Sequence, residues 1–249
     1  MAKVVGIIPA RMASTRFPGK PLIEILGMPM VVHVLKRAKL CKRLDDVFVA
    51  TDSPEIFNCV LRYKGKAIMT ASTHKTGTDR IAEACRKIDC DIAVNIQGDE
   101  PLVKPAEIDK LVDCISADKA VNFATIVCKT TKFNDFTECK VVLDRNMDIM
   151  YISRSDIPSN GRSMPKYLYK HNCIVAFRKK ALKLYSSWPQ TDLEKIEYIE
   201  YLRILENGYK MRAIVVSGYS TSVDTPEDLK IVLGLMKKDT VKVKYLNKE

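Results

Sequence analysis

Long apolar runs are missing from this chain of 249 residues. The pairs Val4-Val5 and Ile7-Ile8 near its start fall far short of the ~20 apolar residues that span a bilayer, so no membrane segment is expected. The first residues also lack an apolar core followed by a small-residue cleavage site. No signal peptide is expected, and the cytoplasm is the expected compartment. Aromatic residues make up only 7% of the chain and do not interleave with the basic ones, as stacking on nucleic acid would require, so no nucleic-acid partner is expected. No two cysteines stand at the C-x-x-C spacing of zinc or redox motifs. The eight that are present (Cys41, Cys59, Cys85, Cys90, Cys114, Cys128, Cys139 and Cys173) mostly sit in apolar patterns. There a thiol packs as a small hydrophobe, and free buried thiols are expected rather than a disulfide framework. No internal repeat or low-complexity stretch stands out.

What is there describes a folded α/β protein. Hydrophobic residues reach 47% and charged residues 29%, which excludes disorder as the main state. The length suits one large domain or two small ones. Lysine and arginine number 41 against 30 acidic residues, a net charge of +11 that favours phosphate-bearing partners. The densest positive stretch, residues 237–248, reads as a solvated tail.

Residues 3–8, 47–50, 66–69 and 91–96 read as short buried strands, being apolar and rich in β-branched side chains. Residues 30–41 and 78–88 read as amphipathic helices; further helices open at Ser53-Pro54 and Lys104-Pro105. Beyond residue 120 the pattern becomes strands at 122–129, 139–143, 149–153 and 168–177. Helices at 179–186 and 193–207 follow, the second ended by Gly208. A strand at 211–216 and a helix from Thr225 complete the chain. The alternation predicts an α/β fold, a mixed sheet with helices on both faces in three layers. A single domain over 1–249 is expected, with a β-rich substrate-side lobe at 139–205. In such sheets ligands bind beyond the carboxyl ends of the strands, and the loops there are the least ordinary parts of this sequence.

The loop from Pro9 to Leu22 carries Arg11, Arg16 and Lys20 among small residues. Its backbone N–H groups suit phosphate oxygens, and its cations suit a polyphosphate. It is not a Walker loop, which would need glycine at Ser14 and serine or threonine at Pro21. After the strand at 91–96 comes Gln97-Gly98-Asp99-Glu100. A carboxylate at a strand end suits Mg2+ that keeps several waters, and suits a turn or helix cap equally well. Asp224 lies in Asp-Thr-Pro-Glu, which also makes a good helix start. Residues 73–80 bring hydroxyls and backbone donors to a helix N-terminus. His74 there reads as a bystander.

These segments together resemble the CMP-Kdo synthetases, the 3-deoxy-manno-octulosonate cytidylyltransferases. The resemblance runs through Ile7-Ile8-Pro9-Ala10-Arg11 to Lys20-Pro21-Leu22, then His74-Lys75-Thr76-Gly77-Thr78-Asp79-Arg80, then Asn95-Ile96-Gln97-Gly98-Asp99-Glu100-Pro101. Ser153-Arg154 and Val223-Asp224-Thr225-Pro226-Glu227-Asp228-Leu229 complete it, so that it covers nearly the whole chain. It implies a fold of the nucleotide-diphospho-sugar transferase (GT-A-like) type. It also implies transfer of CMP from CTP to a 3-deoxy-2-keto sugar acid, with Mg2+ as cofactor and pyrophosphate released. By the same resemblance, Arg11, Lys20 and Asp99 carry the catalysis. Pro9, Ala10, Arg11, Ser14, Arg16, Lys20, Thr73, Thr76, Gly77 and Arg80 bind the nucleotide, and Asp99 and Asp224 hold the metal. A homodimer is implied, with residues 139–177 as its interface.

On the acid side, Gln97 would orient the sugar, Arg154 and His171 would serve as cations toward its carboxylate, and Glu197 and Glu200 would accept its hydroxyls from one helical face. Three departures from the family pattern fall here: Val175 in place of the usual Tyr, Tyr201 in place of Gln, and Asn172-Cys173 in place of Leu-Gly. They leave open a different acid, such as an amino-substituted one. A nucleotide-binding module without catalysis is the more distant alternative.

Overall fold

The apolar run at the start of the chain becomes β1 (Val4–Ala10), whose side chains are buried almost throughout in the computed structural model. The structure describes residues 2–13, 17–218 and 221–246; Ser14 and Arg16 of the basic loop lie outside them. Two compact units emerge, Met1–Asp109 with Ser220–Glu249, and Lys110–Tyr219.

In the first unit β1 pairs in parallel with β4 (Asp46–Thr51) and β6 (Ile92–Asn95), and β5 (Lys66–Met69) extends the sheet beyond β4. A minor hairpin, β2 (Glu24–Ile25) and β3 (Met28–Pro29), leads into α1 (Met30–Ala38). The crossovers from β1 through α1 to β4, and from β4 through α2 (Pro54–Arg62) to β5, run in one direction across the sheet. The return from β5 through α3 (Gly77–Arg86) to β6 runs in the other. Right-handed connections therefore put α1 and α2 on one face and α3 on the opposite one. Such two-sided cover explains why β1 and β6 are continuous apolar runs rather than alternating ones. α4 (Pro105–Ala117) contains the junction with the second unit, so no linker composition marks that boundary.

The second unit is a mixed sheet. β7 (Phe123–Thr130) runs antiparallel to β10 (Leu168–Arg178) and parallel to β11 (Arg212–Val216). β8 (Lys140–Leu143) joins β10 to β9 (Ile149–Ser153), both antiparallel. The expected 139–205 lobe lies inside this unit. α5 (Lys179–Tyr185) follows β10 as expected.

Two expectations need correction. The single helix at 193–207 is instead α6 (Asp192–Glu197) and α7 (Leu202–Glu206), broken at Tyr198, whose φ of 58° ends the first turn in the left-handed region. The break folds Arg203 back so that its guanidinium pairs with Glu194 at 2.6 and 2.8 Å, both side chains buried. The basic tail is folded as far as Leu246 rather than a free extension, although its lysines are exposed or half-buried. Beyond α8 (Pro226–Lys238) the chain forms α9 (Val243–Leu246), and Tyr245 is buried against α1. Five of the eight cysteines are buried and none of the eight is in a disulfide, as their apolar settings imply.

Candidate active site

Three loops of the first unit converge at the carboxyl end of β1. A Cβ on Gly98 would lie 2.7 Å from the Pro9 carbonyl oxygen, and one on Gly77 would lie 3.4 Å from Pro9 Cγ. Only glycine at 98 lets the loop after β6 rest against the end of β1. The basic loop re-enters through Gly19, at φ 70°, into a 3-10 turn, Lys20–Leu22. This turn aims Lys20 inward. Its Nζ donates to Asp99 Oδ2 at 2.7 Å and to Asp224 Oδ1 at 3.2 Å.

Local structure explains why both carboxylates are available there. The N-cap of α8 is Thr225, whose Oγ1 accepts from Asp228 N. Asp228 in turn accepts from the backbone N–H groups of Asp224 and Thr225. Capping is thus done by Thr225 and Asp228, and the Asp224 carboxylate does not serve as the cap. The Asp99 carbonyl accepts from Val223 N at 2.9 Å, which ties the two acidic segments together directly. Burial works against the charge on Lys20, but the fields and hydrogen bonds of Asp99 and Asp224 outweigh it and hold the ammonium above its ordinary pKa. The side chains of Asp99 and Asp224 are 29% and 33% exposed, so the acidic pair faces solvent on one side. Two carboxylate oxygens that touch one cationic nitrogen are no more than about 6 Å apart. A small divalent ion could draw both onto itself. Among the described residues no group of three or more His, Cys, Asp or Glu is placed to hold a metal.

Beside this cluster, Thr76 caps α3 by accepting from Asp79 N at 3.1 Å. Thr73 is exposed and Gly77 is half-buried. The segment before them is fastened by Glu83, which no sequence signal singled out. Its carboxylate accepts from Ala71 N, His74 Nε2 and Lys87 Nζ. The Ala71 N–H bond, with His74 and Lys87 behind it, lowers the Glu83 pKa to about 2 against the cost of burial. The Arg80 guanidinium is turned inward, donating to Thr70 Oγ1 at 2.6 Å and Asp52 Oδ2 at 3.1 Å. It braces α3 against the end of β4. Arg11 is exposed, and Ala10 stays in register with Thr51. Gln97 is half-buried in the loop after β6.

In the second unit the expected acid-side residues are bound largely to one another. Glu197 accepts from Ser153 Oγ at 2.7 Å and from Arg154 N at 3.0 Å. Arg154 donates through Nε to the Glu197 carbonyl, and through its terminal nitrogens to Phe136 O and Tyr198 O. The helix break at Tyr198 separates Glu197 and Glu200, so they do not share one helical face. His171 is buried, and burial pushes its pKa down to about 4. It is therefore neutral at pH 7, with Nε2 on Thr125 Oγ1 at 2.8 Å, and supplies no cation. Val175 and Tyr201 are also buried, Tyr201 against the His171 ring. The three family departures surround a β-bulge between Asn172 and Val175.

A parallel sheet with a glycine-tightened loop, a capped helix and a cation held by two acids at the strand ends defines a nucleotide-handling α/β protein. The cytidylyltransferase family model matches residues 5–214. A Geobacter metallireducens protein named 3-deoxy-manno-octulosonate cytidylyltransferase is 41% identical, over 91% of this chain and 95% of its own length. A Shewanella halifaxensis protein named 8-amino-3,8-dideoxy-manno-octulosonate cytidylyltransferase is 40% identical, over 92% and 96%. The solved structure of a CMP:2-keto-3-deoxy-manno-octonic acid synthetase complexed with CTP superposes with a TM-score of 0.92 at 38% identity, covering 95% of this chain and 99% of that one. The chain belongs to the cytidylyltransferase family, in its 3-deoxy-manno-octulosonate branch.

Proposed function

We propose that this enzyme transfers CMP from CTP to 3-deoxy-manno-octulosonate and releases pyrophosphate. The observation that carries the reading is the Lys20 ammonium seated on Asp99 and Asp224, in a chain whose relatives are named for this reaction. The anomeric hydroxyl of the acid attacks the α-phosphorus, the bond from that phosphorus to the bridging α,β-oxygen breaks with its electron pair leaving on pyrophosphate, and the hydroxyl proton passes to solvent as the new phosphoester forms. Catalysis is then mostly positioning and charge neutralisation. Lys20, with Arg11 and Arg16, meets the phosphates and the departing pyrophosphate. Pro9, Ala10 and Ser14 frame the phosphate loop. Thr73, Thr76 and Gly77 bring hydroxyls and backbone donors to the base and ribose. Gln97 orients the sugar.

Mg2+ fits the acidic pair. Lys20 Nζ already stands there as a cation on both carboxylates, and an ion that keeps several waters takes one or two carboxylates from the protein. Asp99 and Asp224 would hold it; bound there, it would neutralise triphosphate charge and polarise the α-phosphate. The proposal also carries a homodimer through residues 139–177 and a cytoplasmic place. No described helix is long and apolar enough to cross a membrane.

One observation favours a second acid: identity to the relative named for the 8-amino acid, 40%, nearly equals the 41% to the relative named for the unsubstituted one. Pyrophosphate release with CTP and a panel of ulosonic acids decides between them. Turnover of 3-deoxy-manno-octulosonate well above the amino acid supports the main reading, and the reverse order replaces it. Stabilisation by CTP with no turnover of any acid would mark a binding module instead.

A further inference from the structure

The C-terminal segment from Asp239 to Tyr245 reaches α1 at two points. The Arg37 guanidinium, itself buried, pairs with Asp239 and donates to Val103 O at 3.0 Å. Asp239 also accepts from Lys242 N at 2.8 Å and so starts the turn into α9. Four residues before Arg37, His33 is fully buried, with Nε2 2.7 Å from Ile25 O and Nδ1 2.8 Å from Tyr245 Oη.

The chemistry fixes which atoms carry protons. A carbonyl oxygen can only accept, so His33 Nε2 bears the hydrogen that goes to Ile25. Nδ1 then presents a lone pair, and the Tyr245 hydroxyl must donate to it. The charged groups facing the ring are Arg37 and Asp239. Burial, with Arg37, keeps the imidazole below its ordinary pKa, and so neutral, despite the Ile25 bond and Asp239. One directed chain of hydrogen bonds thus runs from Tyr245 through His33 to the backbone of β2.

That backbone belongs to the same short segment as Lys20. Ile23 N donates to Lys20 O, and Met30 N donates to Ile23 O, so the turn and β2 are linked by hydrogen bonds. The Ile25 side chain packs with Met30, Val223, Val232 and Met236, and Phe17 lies against that cluster. Val223 immediately precedes Asp224 and donates to Asp99 O. The Ile25 site therefore adjoins all three members of the charged cluster through bonded or packed neighbours.

We infer that Tyr245, acting through His33, is a positioning residue for the Lys20 segment: the C-terminal helix clamps the turn that places this ammonium on Asp99 and Asp224. The inference rests on the reaction proposed above.

The test uses the full chain as wild type, Tyr245→Phe, His33→Gln and His33→Asn. It measures kcat and KM for CTP by pyrophosphate release, melting temperature, and amide exchange over residues 17–30. Tyr245→Phe removes one hydroxyl and is expected to lower kcat about threefold to tenfold while KM for CTP stays within about twofold, since the groups that meet the base lie elsewhere. Exchange over residues 17–30 should quicken. His33→Gln can still donate from Nε2 to Ile25 O and offers Oε1 to accept from the Tyr245 hydroxyl, so it should keep most of kcat. His33→Asn reaches only toward Tyr245 and should fall with Tyr245→Phe. Wild-type kcat and exchange in Tyr245→Phe would overturn the inference. So would Gln and Asn variants that lose kcat equally, in step with their melting temperatures. Wild-type protein without turnover would overturn the assigned reaction, and the exchange comparison then decides the clamp: quickened exchange supports it, unchanged exchange refutes it.

Discussion

Lys20→Met removes the cation from between two carboxylates and leaves an apolar side chain only one atom shorter. At 2.7 and 3.2 Å, each attraction is of order 5–6 kcal/mol at an effective dielectric of about 20, before any desolvation is charged against it. The carboxylates are about one-third exposed, so water screens both contacts, and ordering the lysine costs side-chain entropy. A net loss of about 1–3 kcal/mol is the expected remainder, below that of a fully buried pair. For a chain of this size this lowers the melting temperature by about 2–10 °C. The sign with pH follows from the raised Lys20 pKa: the contribution is complete below the ordinary value of 10.5 and is lost as pH rises through the higher folded value, so a melt at pH 7.5 reads all of it. Without Lys20 the acidic pair loses this cation, so Mg2+ alone should raise the melting temperature of Lys20→Met more than that of wild type. Turnover should fall about 10²-fold or more, as for other charge-stabilising groups. The assay is a melt with and without Mg2+ beside steady-state pyrophosphate release. A variant that melts like wild type, gains no more from Mg2+ and turns over normally would refute the reasoning.

Asp99→Asn should keep a folded chain and cut turnover by about 10²-fold or more; near-normal pyrophosphate release would contradict its assignment. Gly98→Ala forces a Cβ to within 2.7 Å of the Pro9 carbonyl, so the loop must shift; a cost of about 1–3 kcal/mol in urea unfolding is expected, with lower kcat. Glu83→Gln should weaken the hold on residues 71–74 and raise KM for CTP more than it lowers kcat. The Glu83 pKa of about 2 adds that this hold is complete above pH 4.5 and lost only as pH falls toward 2, so KM for CTP should not change between pH 5 and 8 on its account. Arg203→Met leaves Glu194 buried without its partner and should cost about 3–5 kcal/mol by chemical denaturation, while Glu194→Met with Arg203→Met recovers part of it.

The sheet of the first unit was legible because strands covered on both faces are apolar at every position, as in Ile92, Ala93 and Val94. The break at Tyr198 was not, because the residues around it keep a helical spacing and a left-handed tyrosine has no sequence signature. The buried Glu194–Arg203 pair that accompanies the break is a tertiary contact, and on a sequence it reads as two ordinary surface charges. His171 misled for a related reason. A histidine between polar neighbours reads as a cation, but it lies on β10 within a packed sheet, where burial removes the charge. The Pro9–Leu22 loop reads as a phosphate loop by its own composition, whereas Asp99 and Asp224 read equally well as cap or turn residues. Only the ordered family motifs linked them.

What makes the charged cluster a site is the distance in sequence that it closes. Lys20 meets Asp99 across 79 residues and Asp224 across 204, so no local propensity assembles it. Each member is delivered by a separate device: a left-handed Gly19 for the lysine, a glycine-tightened loop end for Asp99, and capping by Thr225 and Asp228 beside Asp224. Two carboxylates held this close repel unless a cation lies between them. Lys20 supplies that cation from within the chain. Asp99 and Asp224 would also be the residues to hold a divalent ion on a triphosphate, and the Lys20 ammonium beside them is within reach of the same charge. One lysine would thus serve both the stability of the acidic pair and the charge of the substrate, which is why its removal should lower stability and turnover by different amounts.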